Sequence, residues 1–260
     1  MTKPRILPSL ALAAICLSTV LPAAADVAVL VPIQDATLYE DAGGTVANGA
    51  GEHLFTGRTA IGDRRRALLL FDVAGEVPAG STIVAASLTL DVSLVPLSVI
   101  PVATGVHRVL AAWGEGASDA PDPEGIPAPA AAGDATWLHT FFPGDLWALE
   151  GGDFDPAPSA SETVGGLGPV TWGSTPAMVA DVQEWLDSPG TNNGWILVVD
   201  SDDLQTAKRL DSRENPTPSA RPQLTVEFLS VADVEIPTLS AWALALLAAL
   251  LLAAAVRRLA

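Results

Sequence analysis

The sequence predicts an all-β body, a sandwich or barrel, held between two apolar ends. Three observations predict it. Short runs rich in Val, Leu, Ile and Thr recur between residues 26 and 230, with Gly and Pro between them. Leu88, Leu90 and Val92 alternate with Thr89 and Asp91, the period of a half-buried strand. One stretch alone, after Thr175–Pro176, repeats its apolar residues at helical spacing.

The amino-terminal end reads as a signal peptide over residues 1–25. Lys3 and Arg5 precede an apolar run at 10–21, and Ala23, Ala24 and Ala25 supply an A-x-A cleavage site ahead of Asp26. The run is shorter than the ~20 residues that a bilayer requires. Cys16, the chain's one cysteine, falls inside this segment behind the bulky Ile15, so no lipidated cysteine is expected and the mature chain is thiol-free. That suits an exported fold that does not depend on disulfides.

Strands are expected at 26–32 (DVAVLVP), 66–73 (RALLLFDV, apolar enough to be buried on both faces), 83–94, 105–110, 194–199, 207–212 and 223–229. Thr175 is a suitable N-cap and Pro176 suits the first helical position. Met178, Val179, Val182, Trp185 and Leu186 then fall on one face until Pro189–Gly190 ends the helix. Residues 114–133 and 151–168, rich in Pro, Gly and acid, read as long exposed loops. Residues 26–230 are taken as one domain and 231–260 as a tail.

Charge separates the same regions. Asp and Glu number 30 against 13 Lys and Arg, a formal net charge of −17. All 30 acids but only nine of the bases lie in residues 26–235, so this stretch carries −21. Such a surface repels phosphate backbones, which excludes nucleic acid as a partner.

In the tail, residues 239–256 are apolar except for Ser240, which predicts a transmembrane helix of roughly 27 Å at ~1.5 Å per residue. Arg257 and Arg258 would hold its end on the cytoplasmic side. The segment IPTLSAW at 236–242, with this helix and the terminal arginines, resembles the IPTL-CTERM sorting signal, of the same broad class as the PEP-CTERM tails of exosortase substrates. The resemblance implies Ile236, Pro237, Thr238 and Leu239 as recognition residues, with Trp242, Arg257 and Arg258 completing the motif. It also implies a membrane sorting protease or transpeptidase as partner. The chain would be exported, anchored transiently in the inner membrane, then delivered to the cell surface or the extracellular space.

A second resemblance covers the body. RRALLLFDVAGEVPAGSTIVAASLTL at 65–90, the Trp113-Gly114-Glu115-Gly116 step, NNGWILVV at 192–199, DSREN at 211–215 and RPQLTVEF at 221–228 occur in an order similar to that of the DNRLRE domain of secreted bacterial proteins. The resemblance implies a jelly-roll-like β-sandwich related in architecture to carbohydrate-binding modules. It makes Arg213 and Glu214 the pair that names the domain, read here as a structural ion pair.

No catalytic constellation emerges, and no catalytic residue is assigned. His53, His107 and His139 lack metal-ligand spacing, and there is no G-x-S-x-G or phosphate loop. The expected function is therefore a non-catalytic surface or matrix protein that binds or structures exopolysaccharide. The alternatives are a polysaccharide lyase or glycoside hydrolase, and a structural or adhesive protein without a small ligand. Trp113, Trp137, Trp147 and Trp172 are the candidate sugar platforms, because sugar C–H groups stack on indole faces. Trp113 and Trp172, at strand–loop junctions, are open to core or surface, Trp137 and Trp147 have a second reading as a satellite core under a long loop, and Trp185 and Trp195 are expected in the core. For a structural Ca²⁺ the candidate ligands are Asp35, Glu40 and Asp41, with Asp200, Asp202 and Asp203 as a second acidic turn. Arg64, Arg65 and Arg66 are the body's one basic run.

Overall fold

A computed structural model describes residues 25–230 and 241–259. The signal-peptide expectation, and Ile236, Pro237, Thr238 and Leu239 of the sorting motif, lie outside the described residues.

The protein is mostly β. The first strands are β1 (Asp26–Leu30), β2 (Gln34–Tyr39), β3 (Val46–Ala47), β4 (His53–Arg58) and β5 (Arg64–Leu70). A single turn, α1 (Val73–Glu76), leads to the long β6 (Thr82–Leu94) and to β7 (Val102–Arg108). An excursion carries the short pieces β8 (Ala128–Pro129), β9 (His139–Phe141) and β10 (Asp145–Leu146). There follow β11 (Ala160–Val164), β12 (Gly168–Trp172), α2 (Pro176–Asp187), β13 (Trp195–Val199), β14 (Lys208–Asp211) and β15 (Gln223–Leu229). Beyond the body lies α3 (Ala241–Leu259).

Eleven strands form one antiparallel sheet in the order β1-β15-β6-β14-β4-β5-β13-β7-β11, with β12 also on β6 and β2 also on β5. The sheet curls because β4 serves both halves: His53 to Thr56 pair with β14, and Gly57 and Arg58 pair with β5. Gly57 makes the corner at φ +115°, where a Cβ would stand 2.7 Å from the Thr206 carbonyl oxygen. A residue with a side chain could not combine that backbone with that contact.

The curl encloses the main core. Ile83, Ala86, Leu88, Leu90 and Val92 of β6 meet Ala67 and Leu69 of β5, Trp195 and Leu197 of β13, and Leu224 and Val226 of β15. Helix α2 adds Met178, Val182, Trp185 and Leu186 to it. Its start follows the sequence reading: Thr175 caps the Met178 amide at 3.1 Å, and Pro176 opens the helix. Strand β5 is buried on both faces, as its apolar run implies. Leu68 and its neighbours Ala36, Leu38 and Ile196 form a second core, covered by Val109, Trp113, Ala135, Trp137 and Trp147.

The structure corrects two expectations. Residues 114–133 are not a free loop, since Ser118, Ala120, Glu124 and Ala128 are buried. Residues 151–168 contain β11, which pairs with β7. Among the described residues no helix is long and apolar enough to cross a membrane. Of the predicted 239–256 helix, the described part is helical within α3, which also includes Arg257 and Arg258, and residues 239 and 240 lie outside the described residues.

Candidate functional site

Strand β2 enters the second core with Asp35 fully buried. Glu115 reaches it from the excursion after β7, and Arg213 and Glu214 from the turn after β14. The Asp35 amide donates to Glu115 Oε1 at 2.8 Å, and the Arg213 amide donates to Asp35 Oδ2 at 2.7 Å. The Arg213 guanidinium forks onto Glu115, Nε to Oε1 at 2.6 Å and Nη2 to Oε2 at 2.7 Å. Its Nε also lies 2.8 Å from Glu214 Oε1. The Arg213–Glu214 pair thus forms, and it extends to a carboxylate 98 residues away.

Three acids face one guanidinium here. Two oxygens, Asp35 Oδ1 and Glu214 Oε2, are buried without a hydrogen-bond partner. Burial, reinforced by the Glu214 charge, holds the Asp35 carboxyl well above the ordinary carboxylate range, against the pull of the Arg213 amide. Burial raises Glu214 too, opposed by Arg213. A carboxyl that holds its proton more tightly when folded stabilises the fold fully below the unfolded value of ~4, and this stability is lost as pH rises through the raised value. In chelator, the protein is therefore expected to melt at a higher temperature at pH 5 than at pH 7. Asp35→Asn should flatten that slope, as checked by thermal unfolding at the two pH values. An unchanged slope in the variant would remove Asp35 as its source.

The structure does not bring Glu40 and Asp41 to Asp35. Glu40 accepts from the Arg64 amide at 2.6 Å and lies 3.3 Å from Arg64 Nη1. Asp41 caps Thr45 at 3.0 Å, and that amide holds its carboxyl below the usual range. Asp202 pairs with Arg58 at 2.9 Å, while Asp203 accepts from the Ser201 hydroxyl at 3.0 Å. The predicted trio is thus replaced by Asp35, Glu115 and Glu214. Its signal was available as Glu115 in the Trp-Gly-Glu-Gly step and Glu214 in DSREN, but nothing in the sequence joined them.

The four candidate sugar platforms are enclosed. Trp113, Trp137, Trp147 and Trp172 are 4%, 5%, 6% and 0% exposed, which leaves no indole face open for stacking. Three direct their N–H inward: Trp113 to Asn193 O at 2.9 Å, Trp147 to Thr136 O at 2.9 Å and Trp172 to Thr104 O at 2.8 Å. Trp137 lies under Arg66, whose guanidinium is 4.9 Å from the ring. The satellite-core reading of Trp137 and Trp147 is the one that the structure shows, and Trp185 and Trp195 are in the main core as expected. The basic run disperses, Arg64 to Glu40, Arg65 over Tyr39 and Arg66 between Trp137 and Phe154.

Trp242, Arg257 and Arg258 all fall on α3. Comparison with curated proteins gives no match. Residues 236–259 match the IPTL-CTERM motif, which supports a C-terminal sorting signal and implies export, a membrane-anchored sorting step and processing by an exosortase-type enzyme.

Proposed function

We propose that the chain is a non-catalytic extracytoplasmic β protein, carried to the cell surface or extracellular matrix by its C-terminal signal and separated from that signal by a membrane-bound sorting protease or transpeptidase. The match at 236–259, directly behind an acidic β body, is the observation that carries this reading. The body suits such cargo: it is acidic, lacks cysteine beyond residue 16, and closes its aromatic residues into two cores. The likeness of residues 30–228 to the DNRLRE domain supports a jelly-roll-like sandwich of the secreted type. The membrane role falls to the apolar residues 239–256, with Arg257 and Arg258 following on the cytoplasmic side.

The test is the intact mass of the exported protein together with a chain truncated after Glu235. The exported protein is expected to lack residues 1–25 and part or all of 236–260. The truncated chain is expected in the soluble periplasmic or medium fraction, with none at the surface. Recovery of the uncut chain from membranes, or an identical distribution for both chains, would overturn the sorting reading. Incubation with a panel of glycans tests the non-catalytic part, since release of product would identify an enzyme and retardation without product would add a polysaccharide partner.

A further inference from the structure

The acidic group on β2 holds more negative charge than its surroundings neutralise. Asp35, Glu115 and Glu214 each offer one oxygen within 4.8 Å of the other two, and among the described residues they are the one such group of three. Two Ca²⁺–oxygen distances of ~2.3–2.6 Å span about 5 Å, so oxygens at this separation fit around one ion. Asp35 is 0% exposed, and its Oδ1 has no hydrogen-bond partner, while the Arg213 amide is spent on its Oδ2 and the Arg213 Nε and Nη2 on Glu115. Glu214 Oε2 is buried and unpartnered beside it. A buried acceptor without a donor is costly, and an ion supplies what no N–H does here.

We propose that Asp35, Glu115 and Glu214 bind one divalent, oxygen-seeking cation that clasps the excursion after β7 and the turn after β14 onto β2. Arg213 cancels one of the three negative charges, and a divalent ion cancels the other two. The donors are all oxygen, which selects Ca²⁺ over metals that prefer nitrogen or sulfur. Mg²⁺ is disfavoured because it demands close octahedral geometry, and Arg213 already fixes both oxygens of Glu115. The site makes the excursion that covers the second core dependent on the ion. The competing account of the same group is one proton shared by Asp35 and Glu214.

The experiment uses the full exported protein, stripped with chelator and dialysed against millimolar Ca²⁺ or Mg²⁺. Metal content is measured by mass spectrometry, and thermal unfolding is followed by circular dichroism. One Ca²⁺ is expected to be retained per chain, with a raised melting temperature that Mg²⁺ does not reproduce at equal concentration. Asp35→Asn and Glu214→Gln are each expected to weaken Ca²⁺ binding at least tenfold. Asp202→Asn, in the other acidic turn, is expected to leave it unchanged and so controls for diffuse attraction to an acidic surface. Glu214 is the less buried of the two, so its variant carries the test if Asp35→Asn does not fold. Absence of retained Ca²⁺, with stability that follows pH alone, would favour the shared proton and overturn the proposal. Equal retention by wild type and a folded Glu214→Gln variant would overturn it as well. Neither result bears on sorting, because ion content is read on the purified protein wherever it is recovered.

Discussion

Replacing Trp195 with alanine is expected to remove about 4 kcal/mol of stability, the cost typical of emptying a large aromatic site in a close-packed core. Trp195 is 0% exposed on β13, paired with Leu69 on one side and Arg108 on the other. Its ring meets Trp185 at 4.5 Å and Phe71 at 6.3 Å between centroids, so it joins α2 to the sheet. Its Nε1 donates to Asp181 Oδ2 at 2.8 Å, and Asp181 also accepts from the Ser159 hydroxyl. Alanine would therefore leave a cavity and also take a donor from a buried carboxylate. The two losses separate in a paired comparison. Trp195→Phe keeps most of the apolar area but loses the donor to Asp181, a further ~1–3 kcal/mol. Trp185→Phe removes an indole N–H that has no partner, so it costs only the small packing change. Urea titration followed by circular dichroism should rank Trp195→Ala as most destabilised, then Trp195→Phe, then Trp185→Phe, at similar m-values. A larger loss for Trp185→Phe than for Trp195→Phe would refute the role assigned to Asp181.

Both tryptophans were assignable to the core because they sit in apolar runs of clear period, and the same clarity made β5, β6, β13, β15 and α2 legible. Strands β2 and β4 were not, because they bury polar residues: Asp35 and Thr37 in one, Thr56 in the other. A strand that carries a buried carboxylate does not show the apolar alternation that marks strands in sequence. The candidate site was legible in part for the same reason. Asp35 could be picked out as an acid after the first strand, but its partners lie 80 and 178 residues away, while the acids beside it in sequence serve Arg64 and Thr45. The satellite-core reading of Trp137 and Trp147 held, but the sugar-platform reading of Trp113, Trp137, Trp147 and Trp172 failed because a ring beside a loop reads as exposed unless it is known that the loop folds back over it. What holds that loop down is polar, and composition alone registers polar residues as solvated.

Glu124 is one of the residues that hold it, and Glu124→Ala is expected to cost about 3 kcal/mol and to free the segment around it. The side chain is 5% exposed in the middle of a stretch of Pro, Ala, Gly and acid. It accepts from the amides of Glu52 at 2.9 Å and His53 at 3.0 Å, where β4 begins, and from Asn48 Nδ2 at 2.8 Å. Asn48 Oδ1 in turn accepts from the Ala120 amide at 2.9 Å, so the loop and the strand share one network. The Glu124 carbonyl oxygen accepts from the buried Tyr39 hydroxyl at 3.0 Å. Alanine would leave three donors unmet at once, each worth roughly 1 kcal/mol or more when buried. The backbone of Glu124 adds a second term, since it holds φ at +62°, a conformation that L-residues adopt at a cost. That cost is sustained by the network and becomes a reason to leave once the network is gone. Hydrogen exchange should accordingly speed up first at Ala120 and across 118–126, while β6 and β13 keep their protection until global unfolding. Glu124→Gly separates the two terms: it relieves the backbone but satisfies none of the donors, so it should recover part of the stability lost in alanine and none of the loop protection. Protection retained in both variants would mean that the aromatic layer of Trp113, Trp137 and Trp147 holds the excursion without this carboxylate.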